Sequence, residues 1–365
     1  MAKKLKYYSL DRIKQTGAPY RLLLGEKANG KSWAVKAEII QNAWKNDNSK
    51  FILLRRYELE IKQSLVNTYF KDPTSSYIEM WTDGQCDGIE AYQGRVFLTK
   101  WNEKTNKNDK IKHIGYYMGL TSEQHYASGA FPDVDTIVFE EFVSRGGYLP
   151  NEPKKLQYLI STIARHRDIV IYLIGNSISR VCPYFSEWQL VNVPRQKQGT
   201  IEIYKQHTED GTVDIAVEYC ENIGYKNKLF FGAHANAIVS GTWEVDTYPH
   251  LMGNLYMDYE QIYTIVLKCK NFMFLARFIV ANDNGIAMWY IEPKTTEVKQ
   301  ETRIITDIAT ITDIFTTCGL RPLSDDEKIM FEYFTRPDGV CFSDNLTGTD
   351  FMQCLPYLIN YRNRG

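Results

Sequence analysis

The sequence predicts an α/β fold. Its first half carries a mostly parallel sheet, followed by a small linker module and a second, smaller α/β unit. Three observations predict this. Apolar runs at 21–24, 51–55, 136–139 and 169–174 are separated by stretches with helical spacing. Two of them, TIVF and IVIYLI, are continuous and β-branched, the pattern of strands buried on both faces. Between the first run and a helical stretch stands G-x-x-x-x-G-K-S, with Gly25, Gly30, Lys31 and Ser32 in register.

The elements follow in order. The strand at 21–24 feeds the glycine loop. The helix predicted over 32–45 carries Trp33, Val35, Ile39, Ile40 and Ala43 for packing on a sheet. FILLR (51–55) is a second strand. The runs 95–100 and 111–118 make a hairpin around the polar tip 102–110. A helix over 154–165 lies between the strands 136–139 and 169–174 and completes a βαβ unit. Such a sheet binds its ligand at the carboxyl ends of the strands. Beyond Cys182 and Pro183 the pattern loosens, with a polar connection at 192–199, a turn at 209–211 and a small module over 225–243. From about 263 a new strand-rich pattern begins: 272–281, a turn at 282–285, then 286–291, a hairpin opening the second unit. Helices are expected over 304–318 and 325–333. The predicted boundaries are 1–200, 201–255 and 256–365.

Composition limits the function classes. A chain of 365 residues holds two domains and a small module. Hydrophobic residues at 44% and aromatics at 13% suffice for packed cores. The formal net charge of −1 excludes binding nucleic acid by bulk charge, so such a partner must be met by local basic patches or by several copies in a ring. The basic start (Lys3, Lys4, Lys6) lacks an apolar signal core and no run approaches a membrane span. A soluble intracellular protein without a membrane partner is expected. Seven cysteines without C-x-x-C and six histidines without ligand spacing point to reduced thiols, not a disulfide frame or zinc site.

The glycine loop has a chemistry. Phosphate oxygens are held best by several backbone N–H groups aimed at one spot, and residues without a Cβ let the chain curl around the anion. The loop Gly25, Glu26, Lys27, Ala28, Asn29, Gly30, Lys31, Ser32 therefore reads as a Walker A nucleotide site for ATP and Mg2+. The helix start adds partial positive charge. Lys31 reaches the β- and γ-phosphates, and the Ser32 hydroxyl ligates the metal.

Hydrolysis needs more than binding: a carboxylate for the Mg2+ shell and a group to orient water. Glu140 follows a buried strand as a Walker B acid does and is assigned to the metal, through water. Glu141 is assigned to the lytic water as general base. The usual first acid is Asp, so Glu140 is a longer variant. Asn176, just past the next strand, can touch the γ-phosphate or the water. Arg165 and Arg167 read either as a finger for a neighbouring site or as cations at a helix end. Arg55 and Arg56 read as phosphate or subunit contacts, or as a charged strand end. The tip with Trp101 and Lys100, Lys104, Lys107, Lys110 and Lys112 reads as a phosphate-backbone contact or as a solvated surface.

Several of these stretches share a resemblance. The run from Gly115 to Phe142, GYYMGLTSEQHYASGAFPDVDTIVFEEF, resembles the segment before Walker B in large terminases and packaging ATPases. FILLRRY, YLPNE and the run from Ile163 to Phe185 resemble the phi29-like genome-packaging ATPases more closely. The resemblance covers roughly residues 20–190 and is weak beyond, chiefly the hairpin around Asn282. It implies a P-loop NTPase of the ASCE class that translocates double-stranded DNA in a tailed phage. It also implies a homo-oligomeric, five-membered ring on the portal of a procapsid in the host cytoplasm, in phi29 docked on a structural RNA. By position it implies the phosphate loop at 25–32, Glu140 as Walker B acid, Glu141 as catalytic glutamate, Arg165 as trans-acting finger and Asn176 in the following motif. Where some members have a basic residue before a Ser–Gly or Ser–Asn pair, this chain has Ala127 before Ser128, with His125 nearby. The second domain is implied to be RNase H-like. Two-metal cutting needs clustered carboxylates. The strand 272–281 has Arg277 and no acid, and only Asp283 and Glu292 follow, so a vestigial domain without nuclease activity is expected.

Overall fold

The computed structural model of the chain describes residues 8–72, 75–126, 129–144, 147–209, 211–221, 242–295, 303–306 and 324–359. They fall into two compact units, and Ser179–Pro194 belongs to the second.

The first unit is built on a nine-stranded sheet. In chain order its strands are β1 (Tyr20–Leu24), β2 (Lys50–Arg55), β3 (Gly88–Tyr92), β4 (Arg95–Asn102), β5 (Lys107–Gly119), β6 (Val134–Glu140), β7 (Val170–Ile174), β8 (Thr200–Thr208) and β9 (Gly211–Tyr219). Their order across the sheet is β3-β4-β5-β2-β6-β7-β1-β9-β8. Every pairing from β5 through β9 is parallel. Antiparallel pairings of β3 with β4, β4 with β5 and β8 with β9 finish the two edges. The fold is thus α/β and mostly parallel.

The apolar runs explain the centre. Leu23, Leu53, Val138, Tyr172 and Ile174 point into one core, which the helix Lys31–Lys45 closes with Val35, Ile39, Ile40 and Ala43. Alternate positions Leu22, Leu24, Ile52, Leu54, Ile137, Phe139 and Leu173 are buried as well. A strand buried on both faces has no polar side, which is why these segments read as unbroken apolar runs. The helix Glu152–Ala164 packs near β6 through a face of Leu156, Leu159, Ile160 and Ile163.

The boundary expected at 200 is corrected. The hairpin β8–β9 is part of the first sheet, and β9 lies directly beside β1, pairing Leu24 with Tyr219. Ile215, Ala216 and Val217 are buried there. The edge strand β8, exposed at alternate positions, masks this burial in the sequence. The expected module over 225–243 lies outside the described residues except for Thr242 and Trp243.

The second unit holds a five-stranded sheet, β13-β10-β11-β12-β14. Here β10 (Tyr259–Cys269), β11 (Phe272–Ala281) and β12 (Ala287–Pro293) form an antiparallel meander. β13 (Arg303–Thr306) and β14 (Val340–Phe342) add in parallel at the two edges. Trp289, Phe274, Phe331, Phe334, Phe342 and Phe351 fill its core. The helix expected over 304–318 begins instead as β13, because Ile304 and Ile305 pair along β10; residues 307–318 lie outside the described ones. The helix Asp325–Glu332 starts on a capping box between Ser324 and Glu327.

Candidate functional site: a phosphate loop facing two acids

β1 ends at Leu24 and the chain turns through 25–30 into the helix Lys31–Lys45. The turn needs glycine at its first corner. Gly25 has φ +147°, and a Cβ there would come 3.3 Å from the Cβ of Cys220, the residue after β9. Gly30, at φ 98°, is the left-handed N-cap of the helix. Ala28 also has positive φ, at 61°.

β7 lies between β1 and β6, so the carboxyl ends of three adjacent strands open on one side of the sheet. A cavity of about 700 Å³ sits at this edge. Lys27, Ala28, Asn29, Gly30, Lys31 and Ser32 line it from the loop, Glu140 and Glu141 from the end of β6, and Asn176 from beyond β7. Gly25 and Glu26 shape the turn but do not line the cavity. The chain therefore brings the loop, the acid pair and Asn176 together.

Lys31 is buried, and its Nζ donates to the Glu26 carbonyl at 2.6 Å and to Asn29 Oδ1 at 3.2 Å. Burial pushes its pKa down, although Cys220, Glu140 and Glu26 pull it back up. A cation held dry without a full counter-charge is suited to receive an anion.

The acids differ. Glu140 is 6% exposed. Ser32 Oγ donates to its Oε2 at 3.1 Å and Tyr69 OH to its Oε1 at 2.7 Å. Burial raises its pKa; the hydrogen bonds from Tyr69 and Ser32 and the charges of Lys36 and Arg55 offset part of that. Glu141 is largely exposed, and Arg55 Nη2 donates to its Oε2 at 2.8 Å. Its backbone is left-handed, at φ 58°, which turns the chain out of β6. Arg56 fixes that turn. It makes a two-pronged ion pair with buried Glu152 at 2.7 and 3.0 Å and donates to the Glu141 and Phe142 carbonyls.

Mg2+ takes oxygen ligands and keeps waters, so it needs few protein groups. Ser32 Oγ and Glu140 Oε2, adjacent oxygens on the cavity wall, fit that demand. Among the described residues there is no cluster of three or more His, Cys, Asp or Glu able to hold a metal, in either unit.

Other expected residues lie elsewhere. Arg165 does not line the cavity of its own chain. It ends the helix Glu152–Ala164 exposed, at φ 50° and ψ −107°, with Nη2 donating to the Gly129 carbonyl at 3.0 Å. Arg167 is bound into the backbone, donating to the carbonyls of Phe131, Pro132, Val134 and Ile163. Ala127 and Ser128 lie outside the described residues. The lysine-rich tip is partly neutralised. Lys100 lies near Glu79 and Asp87, Lys112 pairs with Asp47 at 2.6 Å, and Lys110 lies 3.5 Å over the Tyr92 ring. In the second unit, Arg277 pairs with Glu292 at 2.6 Å, which uses that carboxylate structurally.

Sequence reasoning missed Lys36, Tyr69, Asp72 and Tyr77; Trp33, expected to pack, does pack against the core. Trp33, Lys36, Asp72 and Tyr77 also line the cavity. Lys36 was findable, since it falls one turn after Ser32 on the same helix face. Tyr77 comes from a short helix and Asp72 from the link before it, in a segment after β2 that carries no long periodic pattern.

Comparison with known proteins agrees with this architecture. Residues 1–210 match the family model described as podovirus DNA encapsidation protein (Gp16). The DNA packaging proteins of Bacillus phages PZA and phi29 are each 31% identical over 190 residues, 51% of this chain and 49% of theirs. The chain thus aligns with about half the length of these curated relatives. In fold, it is similar to the Phi-28 gp11 DNA packaging motor over 98% of both chains, with a TM-score of 0.51 and 16% identity. It is likewise similar to the bacteriophage Phi-29 genome packaging motor assembly over 96% of this chain and 99% of that one, with a TM-score of 0.54 and 18% identity. With loop 25–32 and the acid pair inside the matched region, the chain belongs to the podovirus DNA encapsidation protein (Gp16) family.

Proposed function

We propose that this protein is an ATP-driven motor that moves double-stranded viral DNA into a preformed procapsid. One observation carries the reading: loop residues 27–32, beyond the end of β1, and Glu140 and Glu141, at the end of β6, face a single cavity. Family membership supports DNA as the cargo.

Backbone N–H groups of the loop and the Lys31 ammonium hold the β- and γ-phosphates. On binding, Lys31 exchanges its contacts with Glu26 and Asn29 for phosphate oxygens. Ser32 and Glu140 hold Mg2+, which when bound neutralises charge on the transferring phosphoryl group. Glu141 leaves Arg55, orients a water and takes its proton. Asn176 contacts the γ-phosphate or the water. Arg165 acts in the site of an adjacent copy, which its position outside its own cavity favours over a role in cis. The protein works as a homo-oligomeric ring, a pentamer, on the portal vertex in the host cytoplasm, with a packaging RNA as a further partner. Among the described residues no helix is long and apolar enough to cross a membrane. The second unit serves docking or gripping, not cutting. Plasmid cleavage with Mn2+, lost on Asp283→Asn, would overturn that part and favour a nuclease-competent terminase.

The test is steady-state ATP turnover with procapsid and DNA. Glu141→Gln is expected to reduce turnover by at least about 10²-fold, as loss of a general base does. If Glu141→Gln and Arg165→Ala both keep wild-type rates, the site is misassigned. No turnover under any of these conditions would leave a nucleotide-binding assembly protein.

A further inference from the structure

The cavity carries more side chains than the triphosphate reading uses. That reading takes Lys31, Ser32, Glu140, Glu141 and Asn176. Trp33, Lys36, Asp72 and Tyr77 line the same cavity. Trp33 follows Ser32 directly, so it stands where the chain leaves the phosphates. Tyr77 meets Trp33 edge to face, with centroids 5.4 Å apart and planes at 77°. Trp81, nearly buried, backs both rings at 5.8 Å. Tyr77 itself is 42% exposed, a large aromatic held by two others and turned to the cavity.

The segment carrying Asp72 is tied down from below. Lys36 Nζ donates to the carbonyls of Tyr69 at 2.8 Å and Asp72 at 3.0 Å, and lies 4.0 Å over the Tyr69 ring. Tyr69 in turn donates to Glu140. One buried lysine therefore positions the Asp72 backbone against the tyrosine that orients the proposed metal ligand.

We propose that Tyr77, Trp33 and Asp72 form a base-recognition subsite, and that it selects a purine bearing an amine at C6. The base lies against the Tyr77–Trp33 pair. Its amine donates to the Asp72 carboxylate, which accepts only and so repels a carbonyl at the same place. Aromatic stacking alone accepts any base, so Tyr77 supplies affinity and Asp72 supplies choice. Lys36 is a positioning residue. The inference rests on the ATPase reading above and adds which nucleotide is taken and by which side chains.

The experiment measures binding to the full-length protein by tryptophan fluorescence and competition, with ATP, ITP, GTP and inorganic tripolyphosphate as probes. Tyr77→Ala is expected to weaken ATP about 10- to 100-fold and to leave tripolyphosphate unchanged. Tyr77→Phe retains ATP affinity, which excludes a folding defect. Asp72→Asn is expected to shrink the preference for ATP over ITP by about tenfold. Lys31→Ala weakens every probe, tripolyphosphate included. If Tyr77→Ala binds ATP as tightly as wild type while Lys31→Ala binds nothing, the base lies elsewhere and this inference fails alone. An unchanged ATP-to-ITP ratio in Asp72→Asn sinks the selectivity claim. If wild type and Lys31→Ala bind tripolyphosphate equally, the nucleotide-site reading itself is lost.

Discussion

Arg55 Nη2 donates to Glu141 Oε2 at 2.8 Å, so the residue proposed to activate water is held by a cation from the neighbouring region of the sheet. Arg55 ends β2 and Glu141 follows β6, and these two strands are adjacent. Glu141 is 60% exposed, so the pair contributes no more than about 1 kcal/mol. A hold that weak is readily broken when a γ-phosphate and water enter. Arg55→Ala should therefore raise the ATPase rate of the isolated protein a few-fold while lowering its stimulation by DNA and procapsid. Parallel turnover assays with and without DNA check this. An isolated rate equal to or below wild type would show that Arg55 does not restrain the base.

Arg165 and Arg167 are separable by their contacts. Arg167 donates to four backbone carbonyls, so Arg167→Ala should lower stability by about 1–2 kcal/mol, read as a reduced melting temperature. Among the described residues Arg165 makes one side-chain hydrogen bond, an exposed one to the Gly129 carbonyl. Arg165→Ala should melt like wild type yet lose about 10³-fold or more in assembled turnover. Mixing Arg165→Ala with Glu141→Gln subunits should restore part of the rate, because an intact finger can then meet an intact base. Mixtures with no recovery would argue against action between subunits.

Much of this site was legible because its chemistry is local. Gly25 to Ser32 is one contiguous loop, and Glu140 and Glu141 adjoin a strand whose apolar run marks its own end. Both signals survive without knowledge of the fold. The β8–β9 hairpin was not legible as part of the first sheet, because its membership depends on long-range pairing of Leu24 with Tyr219. Tyr69, Asp72 and Tyr77 were missed for a related reason. Tyr69 and Tyr77 sit on short helices with Asp72 between them, and their placement follows from Lys36 and from packing of Trp33 and Trp81, not from a spacing along the chain. Ile304 and Ile305 misled in the opposite direction. Two β-branched residues in a mixed stretch fit either period, and the partner strand β10 decided the outcome.

Arg56 and Glu152 test the support of the turn that carries Glu141. Both are nearly inaccessible, at 4% and 0% side-chain exposure. Removing Arg56 takes the paired cation away from the buried Glu152 carboxylate, which keeps the Leu149 N–H on its Oε2. Arg56→Ala should therefore destabilise the first unit by about 3–5 kcal/mol. It should also lower turnover at temperatures where the variant remains folded, because the Glu141 and Phe142 carbonyls lose their donor. Chemical denaturation and single-turnover hydrolysis below the transition measure the two effects separately. A fully stable Arg56→Ala protein would remove this pair from the account.

Glu140 predicts an acid-side dependence on metal. Burial is the largest influence on it and raises its pKa, against the Tyr69 and Ser32 hydrogen bonds. Only the ionised carboxylate ligates Mg2+, so below its raised pKa each pH unit should weaken Mg2+ binding about tenfold. The midpoint of Mg2+ activation should accordingly rise as pH falls, starting at a pH above the ordinary carboxylate range. Tyr69→Phe removes a donor to the charged form and should move that onset to still higher pH. The sign for stability is opposite. With a folded-state pKa above the unfolded one, Glu140 favours the fold at low pH, and that contribution is lost as pH rises through the folded value. Metal-free protein should therefore melt lower as pH rises through that window, and Mg2+ with a non-hydrolysable nucleotide should reverse the trend. Melting curves at several pH values, with and without the metal nucleotide, decide it. If Mg2+ activation keeps the same midpoint as pH falls across the acid side in both wild type and Tyr69→Phe, Glu140 is not the metal-binding acid.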